Sequence, residues 1–156
     1  MIAILLNDAS FEQDIRELLM AFYPGETFTH KEEEAGEAEL IVRGVRDGNS
    51  FSLDVTPVKK EAVHFALIYP DFSNRFETKN EIKQTLYRLL SAQTGRELPW
   101  GTLTGIRPTK IALTKLYDGW TDEQIETYMR ETYFTSKEKI DLSIDVAERE
   151  RRLLST

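Results

Sequence analysis

The sequence predicts an α+β protein: a small, mostly antiparallel sheet with one packed helix over residues 1–76, followed by a helical subdomain of about four helices over residues 77–156. Three observations predict it. Short apolar runs separated by turn residues fill the first half, Asp47-Gly48-Asn49 sits between two such runs, and from Thr78 onward the apolar period changes from that of strands to that of helices.

Residues 1–7 read as a buried strand. Ser10 then opens a helix through a Ser-x-x-Gln pattern ending at Gln13, in which Phe11, Ile15, Leu18, Leu19 and Phe22 form an apolar stripe that Pro24-Gly25 terminates. Within the acidic stretch from Lys31 to Glu39, the run Glu32-Glu33-Glu34 reads as a solvated loop or strand edge. Leu40 to Arg46 and the alternating Phe51, Leu53 and Val55 then flank Asp47-Gly48-Asn49 as a hairpin, because glycine accepts positive φ. A third strand, with Val63, Phe65, Leu67 and Tyr69 alternating as in a half-buried strand, ends at Pro70.

In the second half, Thr78-x-x-Glu81 caps a helix carrying Ile82, Leu86, Leu89 and Leu90, which Gly95 stops. Pro108 occupies the first turn of another that runs through Ile111, Leu113 and Leu116 to Gly119, since a first-turn position needs no N–H partner. Thr121 and Gln124 form a capping box for a third, with Trp120 placed to staple onto Ile125. The last helix starts near Ser136. Ile140, Ile144 and Ala147 lie on one side of it and Leu142, Val146 and Leu153 on another, which predicts more than one neighbour.

Composition bounds the function. Apolar residues make up 40% and aromatics 10%, enough for a folded core, and the net charge of -7 opposes nucleic-acid binding, which needs a clustered basic surface. No run approaches the roughly 20 apolar residues of a membrane span, and the N-terminus turns polar at Asn7-Asp8 without a basic leader, so a cytoplasmic protein is expected. With no cysteine, the chain offers no disulfide, thiolate zinc site or cysteine-held iron-sulfur cluster, and no metal site is expected. The chain stops at Ser155-Thr156 directly after a helical pattern, which reads as the boundary of a fragment.

The segment Leu98-Pro99-Trp100-Gly101-Thr102-Leu103-Thr104-Gly105-Ile106-Arg107-Pro108-Thr109-Lys110 fits neither an amphipathic helix nor an alternating strand. Its glycines permit tight backbone, its threonines offer hydroxyls, and it delivers Arg107 and Lys110 to the start of a helix. Arg107 occupies the cap position, where Ser, Thr, Asp or Asn would contribute about 1 kcal/mol. On one reading Trp100, Gly101, Thr102, Thr104, Gly105, Arg107 and Lys110 form a substrate-contacting or domain-docking site, with Thr102, Thr104, Arg107, Lys110 and the helix N-terminus binding a carboxylate or phosphate. On the other, Arg107 pairs with an acidic neighbour, Trp100 fills a gap between lobes and the glycines merely make the turn. Walker and dinucleotide glycine spacings are absent. Asp122-Glu123 reads as first-turn electrostatics, and Glu148 to Arg152 as an exposed i,i+4 pair worth about 0.3 kcal/mol. No catalytic residue is assigned.

This segment resembles the signature region of HemZ-type oxygen-independent coproporphyrinogen III oxidase-like radical SAM proteins, also described as coproporphyrinogen dehydrogenases. Tyr133-Phe134-Thr135-Ser136-Lys137-Glu138-Lys139 and Asp145-Val146-Ala147-Glu148-Arg149-Glu150 resemble the helices that follow it, so the likeness covers roughly residues 78–156. The resemblance implies a heme-biosynthesis oxidoreductase as parent. Its radical SAM barrel would follow residue 156, with a Cys-x-x-x-Cys-x-x-Cys motif holding a [4Fe-4S] cluster that reduces S-adenosylmethionine. This chain would then be a non-catalytic N-terminal accessory domain, with that barrel as its partner and a porphyrinogen as a possible contact. A stand-alone anion- or ligand-binding module and a protein-interaction domain are the alternatives.

Overall fold

Two strands of the computed structural model, β3 (Leu40–Asp47) and β4 (Ser50–Pro57), pair antiparallel over their whole length, from Leu40 opposite Pro57 to Asp47 opposite Ser50. The structure describes residues 1–59, 63–104 and 108–154. Gly48 at φ 61° makes the two-residue turn, as the Asp47-Gly48-Asn49 signal predicts. Alternation along β4 buries Phe51, Leu53, Val55 and Pro57 and leaves the residues between them half-buried, so the hairpin has one apolar face.

The remaining strands are β1 (Ile2–Leu6), β2 (Phe28–Thr29) and β5 (His64–Ile68), giving the order β2-β1-β3-β4-β5. Antiparallel pairing accounts for most of the ladder. β1, however, lies parallel to both its neighbours, because the chain returns from β1 through a helix to β2 and then through a 3-10 turn at Glu32–Glu37 to β3. That turn begins with Glu32-Glu33-Glu34, the run expected as a solvated loop or strand edge. Its glutamates are largely exposed, but Ala35 and Ala38 are buried against Ala3 and Leu5 and cover the second face of β1.

Helix α1 (Glu12–Phe22) buries Ile15, Leu18, Leu19 and Phe22, as its stripe predicts. Its entry differs from the expected Ser10 cap. Asp8 caps a 3-10 turn at Ala9–Phe11, accepting from the Ser10 amide at 3.0 Å, and the helix follows directly at Glu12 without a side-chain cap. Bonds from Ser10, with help from Arg46, hold the Asp8 carboxyl below the usual carboxylate range.

Helix α2 (Arg75–Thr94) packs on α1, β4 and β5, so the first compact unit runs from Met1 to Arg96 and not to residue 76. Ile82, Leu86 and Leu90 are fully buried there, each worth roughly 1.5–3 kcal/mol of burial. This moves the expected boundary of the helical subdomain: the sheet carries two long helices. The start of α2 also differs. Asn74 is the cap, its side chain accepting from the Glu77 amide at 3.1 Å, whereas Thr78 is buried in the first turns and donates to the Asp71 carbonyl at 2.7 Å. Gly95 at φ 69° ends the helix as expected. Arg96 donates to the Phe22 carbonyl, joining the exits of α1 and α2. Between the two helices Lys79 pairs with Asp14 at 3.4 Å, and burial pushes the Lys83 ammonium down against the opposing pull of Asp14 and Glu17.

On β5 the register reverses the expectation. Phe65 lies opposite Asp54 and Leu67 opposite Ser52, so Val63, Phe65, Leu67 and Tyr69 face away from the helices and are exposed, while His64, Ala66 and Ile68 turn towards them. A period of two says that a strand has two faces; only the partner strand decides which is inside.

The second unit, Glu97–Thr156, contains α3 (Pro108–Tyr117), α4 (Asp122–Tyr133) and α5 (Lys137–Leu154) around Ala112, Leu116, Ile125, Met129, Ile140, Ile144 and Ala147. The Thr121–Gln124 capping box forms with both bonds present, and Trp120 packs on the cluster that contains Ile125. Of the two apolar sides expected on α5, that of Ile140, Ile144 and Ala147 is buried, whereas Leu142 and Leu153 on the other are exposed. No helix among the described residues is long and apolar enough to cross a membrane.

Because Leu53 is fully buried and Ser52 is not, Leu53→Ala is expected to lower unfolding free energy by about 2–5 kcal/mol and Ser52→Ala by no more than about 0.5 kcal/mol in urea titrations.

Candidate functional site

The segment that stood out in the sequence opens the second unit, and its described part, Leu98 to Thr104, is built against the corner between α4 and α5. The Leu98 carbonyl accepts from the Gly101 amide at 2.9 Å and the Trp100 carbonyl from the Leu103 amide at 3.2 Å, so the chain makes successive tight turns. At the corner the Thr102 amide donates to the Tyr133 carbonyl at 2.7 Å, the Ser136 amide to the Pro99 carbonyl at 2.8 Å, and the Thr135 hydroxyl to the Trp100 carbonyl at 3.1 Å. Main-chain polar groups that a loop would otherwise expose to water are thereby paired within the unit.

Gly101 explains why no other residue fits there. It sits at φ 64°, and a Cβ on it would lie 1.9 Å from the Tyr133 carbonyl oxygen and 2.6 Å from the Phe134 carbonyl carbon. The close approach is backbone to backbone, so no side-chain rotation relieves it. Phe134 itself takes left-handed backbone at φ 58° to end α4.

The structure brings Trp100, Gly101 and Thr102 together at this corner. Thr102 is buried, and its hydroxyl points at the Tyr133 carbonyl 3.3 Å away, the same oxygen that accepts its amide. Trp100 is half-buried with the Lys139 ammonium 5.5 Å from its ring centroid, within cation-π range. Thr104 is half-buried, and Lys110 is exposed in the first turn of α3, which begins at Pro108 as expected. Gly105 and Arg107 lie outside the described residues, so the Arg107 cap position does too. Lys110 is thus the described cation of the set that faces solvent beside a helix N-terminus.

One feature escaped the sequence reading. Trp120, Tyr128 and Tyr133 stack edge to face in series, with centroids 5.6 and 5.8 Å apart, and the Lys115 ammonium lies 4.4 Å from the Trp120 centroid and 4.6 Å from that of Tyr128. Burial and the hydrogen bond with Tyr128 push the Tyr133 phenol well above its usual range, so it stays protonated at any physiological pH. Trp120 and Tyr128 also line an open cleft of about 680 Å³ along α4, together with Thr121, Glu123, Gln124 and Thr127. The spacing of Trp120 and Tyr128 by eight residues is a helical repeat, but nothing in the sequence shows that Lys115 reaches both.

No group of His, Cys, Asp and Glu among the described residues is arranged to hold a metal ion. A cysteine-ligated cluster does not fit this chain, which has no cysteine, so ligands for one would have to come from other residues of a longer polypeptide.

The geometry of Gly101 sets a graded test. Gly101→Ala is expected to cost upward of about 2 kcal/mol, through both positive φ and the carbonyl contact, whereas Gly95→Ala, with positive φ and open space, is expected to cost about 1 kcal/mol. Thermal unfolding of the two variants checks the difference.

No family model matches the chain, and no solved structure matches it. Among curated proteins it is similar to the oxygen-independent coproporphyrinogen-III oxidase-like protein HemZ of Bacillus subtilis (strain 168), at 35% identity over 98 residues, which is 61% of this chain and 19% of that relative. The chain therefore spans about a fifth of the length of the curated relative it matches. The HemZ-type resemblance read from the sequence is shown by this match.

Proposed function

We propose that the chain is an accessory domain of a coproporphyrinogen III oxidase-like enzyme of heme biosynthesis, cytoplasmic and non-catalytic by itself. The observation that carries this reading is the match to a HemZ protein at 35% identity over 98 residues that make up only 19% of the relative. The catalytic apparatus of the parent, a radical SAM barrel with a [4Fe-4S] cluster and S-adenosylmethionine, would lie in the remainder of the polypeptide, consistent with a chain that contains no cysteine. The accessory role is then physical. The turn at Trp100 to Thr102 is clamped to the corner between α4 and α5, and Lys110, with Arg107 nearby in sequence, supplies positive charge at the start of α3, where a carboxylate of a porphyrinogen or an acidic side chain of the barrel would be favoured.

Three measurements test this. The reading frame beyond residue 156 is expected to encode a Cys-x-x-x-Cys-x-x-Cys motif within a few tens of residues; a stop codon there overturns the accessory-domain reading. The isolated chain titrated with coproporphyrin is expected to show no saturable binding, and micromolar saturation would favour a stand-alone ligand-binding module instead. In the parent protein, Arg107→Ala combined with Lys110→Ala is expected to reduce kcat/KM by about 10-fold or more, the scale of one or two charge-assisted bonds, with the melting temperature preserved. Unchanged turnover and substrate affinity in that variant would sink the contact role of these two cations.

A further inference from the structure

β5 ends the sheet order, and the side of it that faces away from α1 and α2 is unusually apolar. Val63 is 56% exposed, Phe65 60%, Leu67 48% and Tyr69 64%, and Val45, which shares the row of Ser52 and Leu67, is 43% exposed. Edge strands of soluble monomers are ordinarily blunted by lysine, proline or inward charge. No Asp, Glu, Lys or Arg occurs from Val63 to Tyr69. Taking 150–250 Å² per aromatic side chain, Phe65 and Tyr69 alone expose roughly 250 Å². Adding the three aliphatic residues brings the patch to the order of 500 Å², at the upper end of what a soluble monomer exposes.

We propose that this face is covered by a second copy of the chain, the two sheets packing face to face about a two-fold axis near Leu67, whose row holds Ser52 and Val45 and no charge. Area and charge both favour an identical partner. The patch with the half-buried Ser52, Asp54 and Thr56 around it comes to roughly 600 Å² per partner, the low end of what a specific interface buries, and flat sheet faces pack well at about 10 Å separation. Arg43 and Asp54 oppose each other across the ladder in the row of Phe65, so the border of the patch carries both signs and offers little to a strongly charged partner. An anionic lipid surface would require a basic rim, whereas Arg43 on this border is paired with Glu32 and stands opposite Asp54. Two copies, by contrast, meet through an uncharged centre while their acidic surfaces stay in water. This inference is independent of the enzyme reading above, since it rests on β5 and not on the loop or its relative.

Sedimentation equilibrium of the 156-residue chain over roughly 1–500 μM, the range in which weak and moderate homodimers dissociate, tests it. A rise from the monomer mass of 18.0 kDa to twice that value is expected. Phe65→Asp combined with Leu67→Asp should weaken the dimer at least about 100-fold, as loss of a central apolar anchor does, with the circular dichroism spectrum unchanged. If that double variant does not fold, the single Phe65→Ser replaces it. Leu153→Asp, at an exposed leucine of α5, should leave the dissociation constant unchanged. A monomer at every concentration overturns the proposal, as does a dimer that survives the β5 substitutions or is lost with Leu153→Asp.

Discussion

The pairing of β3 with β4 is the constraint from which the first unit follows. Once Val42 lies opposite Val55 and Gly44 opposite Leu53, the apolar side of the hairpin is settled, and α1 and α2 have one face to cover. β1 joins that face through Ile2 and Ile4, and β5 inherits its orientation from the residues it meets on β4. Gly44 shows how closely this face is filled: a Cβ there would lie 2.7 Å from Leu6 Cδ2 and 3.0 Å from Phe51 Cζ. Packing at that density leaves little room for alternative registers, because slipping by one residue would turn Phe51, Leu53 and Val55 into water.

Much of this was legible from local signals. The stripe of α1, the hairpin turn, the Thr121 capping box, the proline at the start of α3 and the glycine after α2 each depend on residues close in sequence, and each appears as read. What failed to show did so for a common reason. Ser10 and Thr78 both satisfy the pattern of a cap, but Asp8 and Asn74, also good caps, lie upstream where the preceding chain delivers extended backbone. Local chemistry names several acceptable starts, and the path of the incoming segment selects one. The same holds for α2: its apolar residues announce a buried face without saying that the burying surface is α1 and the sheet.

The candidate site divides along similar lines. Its odd composition marked Trp100 to Lys110 as something other than a regular element, and the described part does have a demanding geometry. Much of that demand is internal. Gly101 and the backbone of Thr102 answer to the α4–α5 corner, and the aromatic series from Trp120 to Tyr133 with Lys115 above it belongs to the packing of the same unit. Residues that serve a ligand and residues that hold a turn draw on the same small set of glycine, threonine and cation, so composition alone does not separate them. Among the described residues of the segment, Lys110 is the cation presented outward.

The clamp at Gly101 also ties two stretches of chain that are far apart in sequence into one mechanical piece. Tyr133, Phe134 and Ser136 meet Thr102, Gly101 and Pro99 through main-chain atoms, which have no rotamers with which to absorb a shift. A displacement of Pro99 to Thr102 would therefore be felt directly at the corner between α4 and α5. Chemical shifts of the Thr102 and Ser136 amides would then act as a gauge of anything that pulls on that turn, and the side chains on either stretch can change without loosening it so long as Gly101 stays glycine.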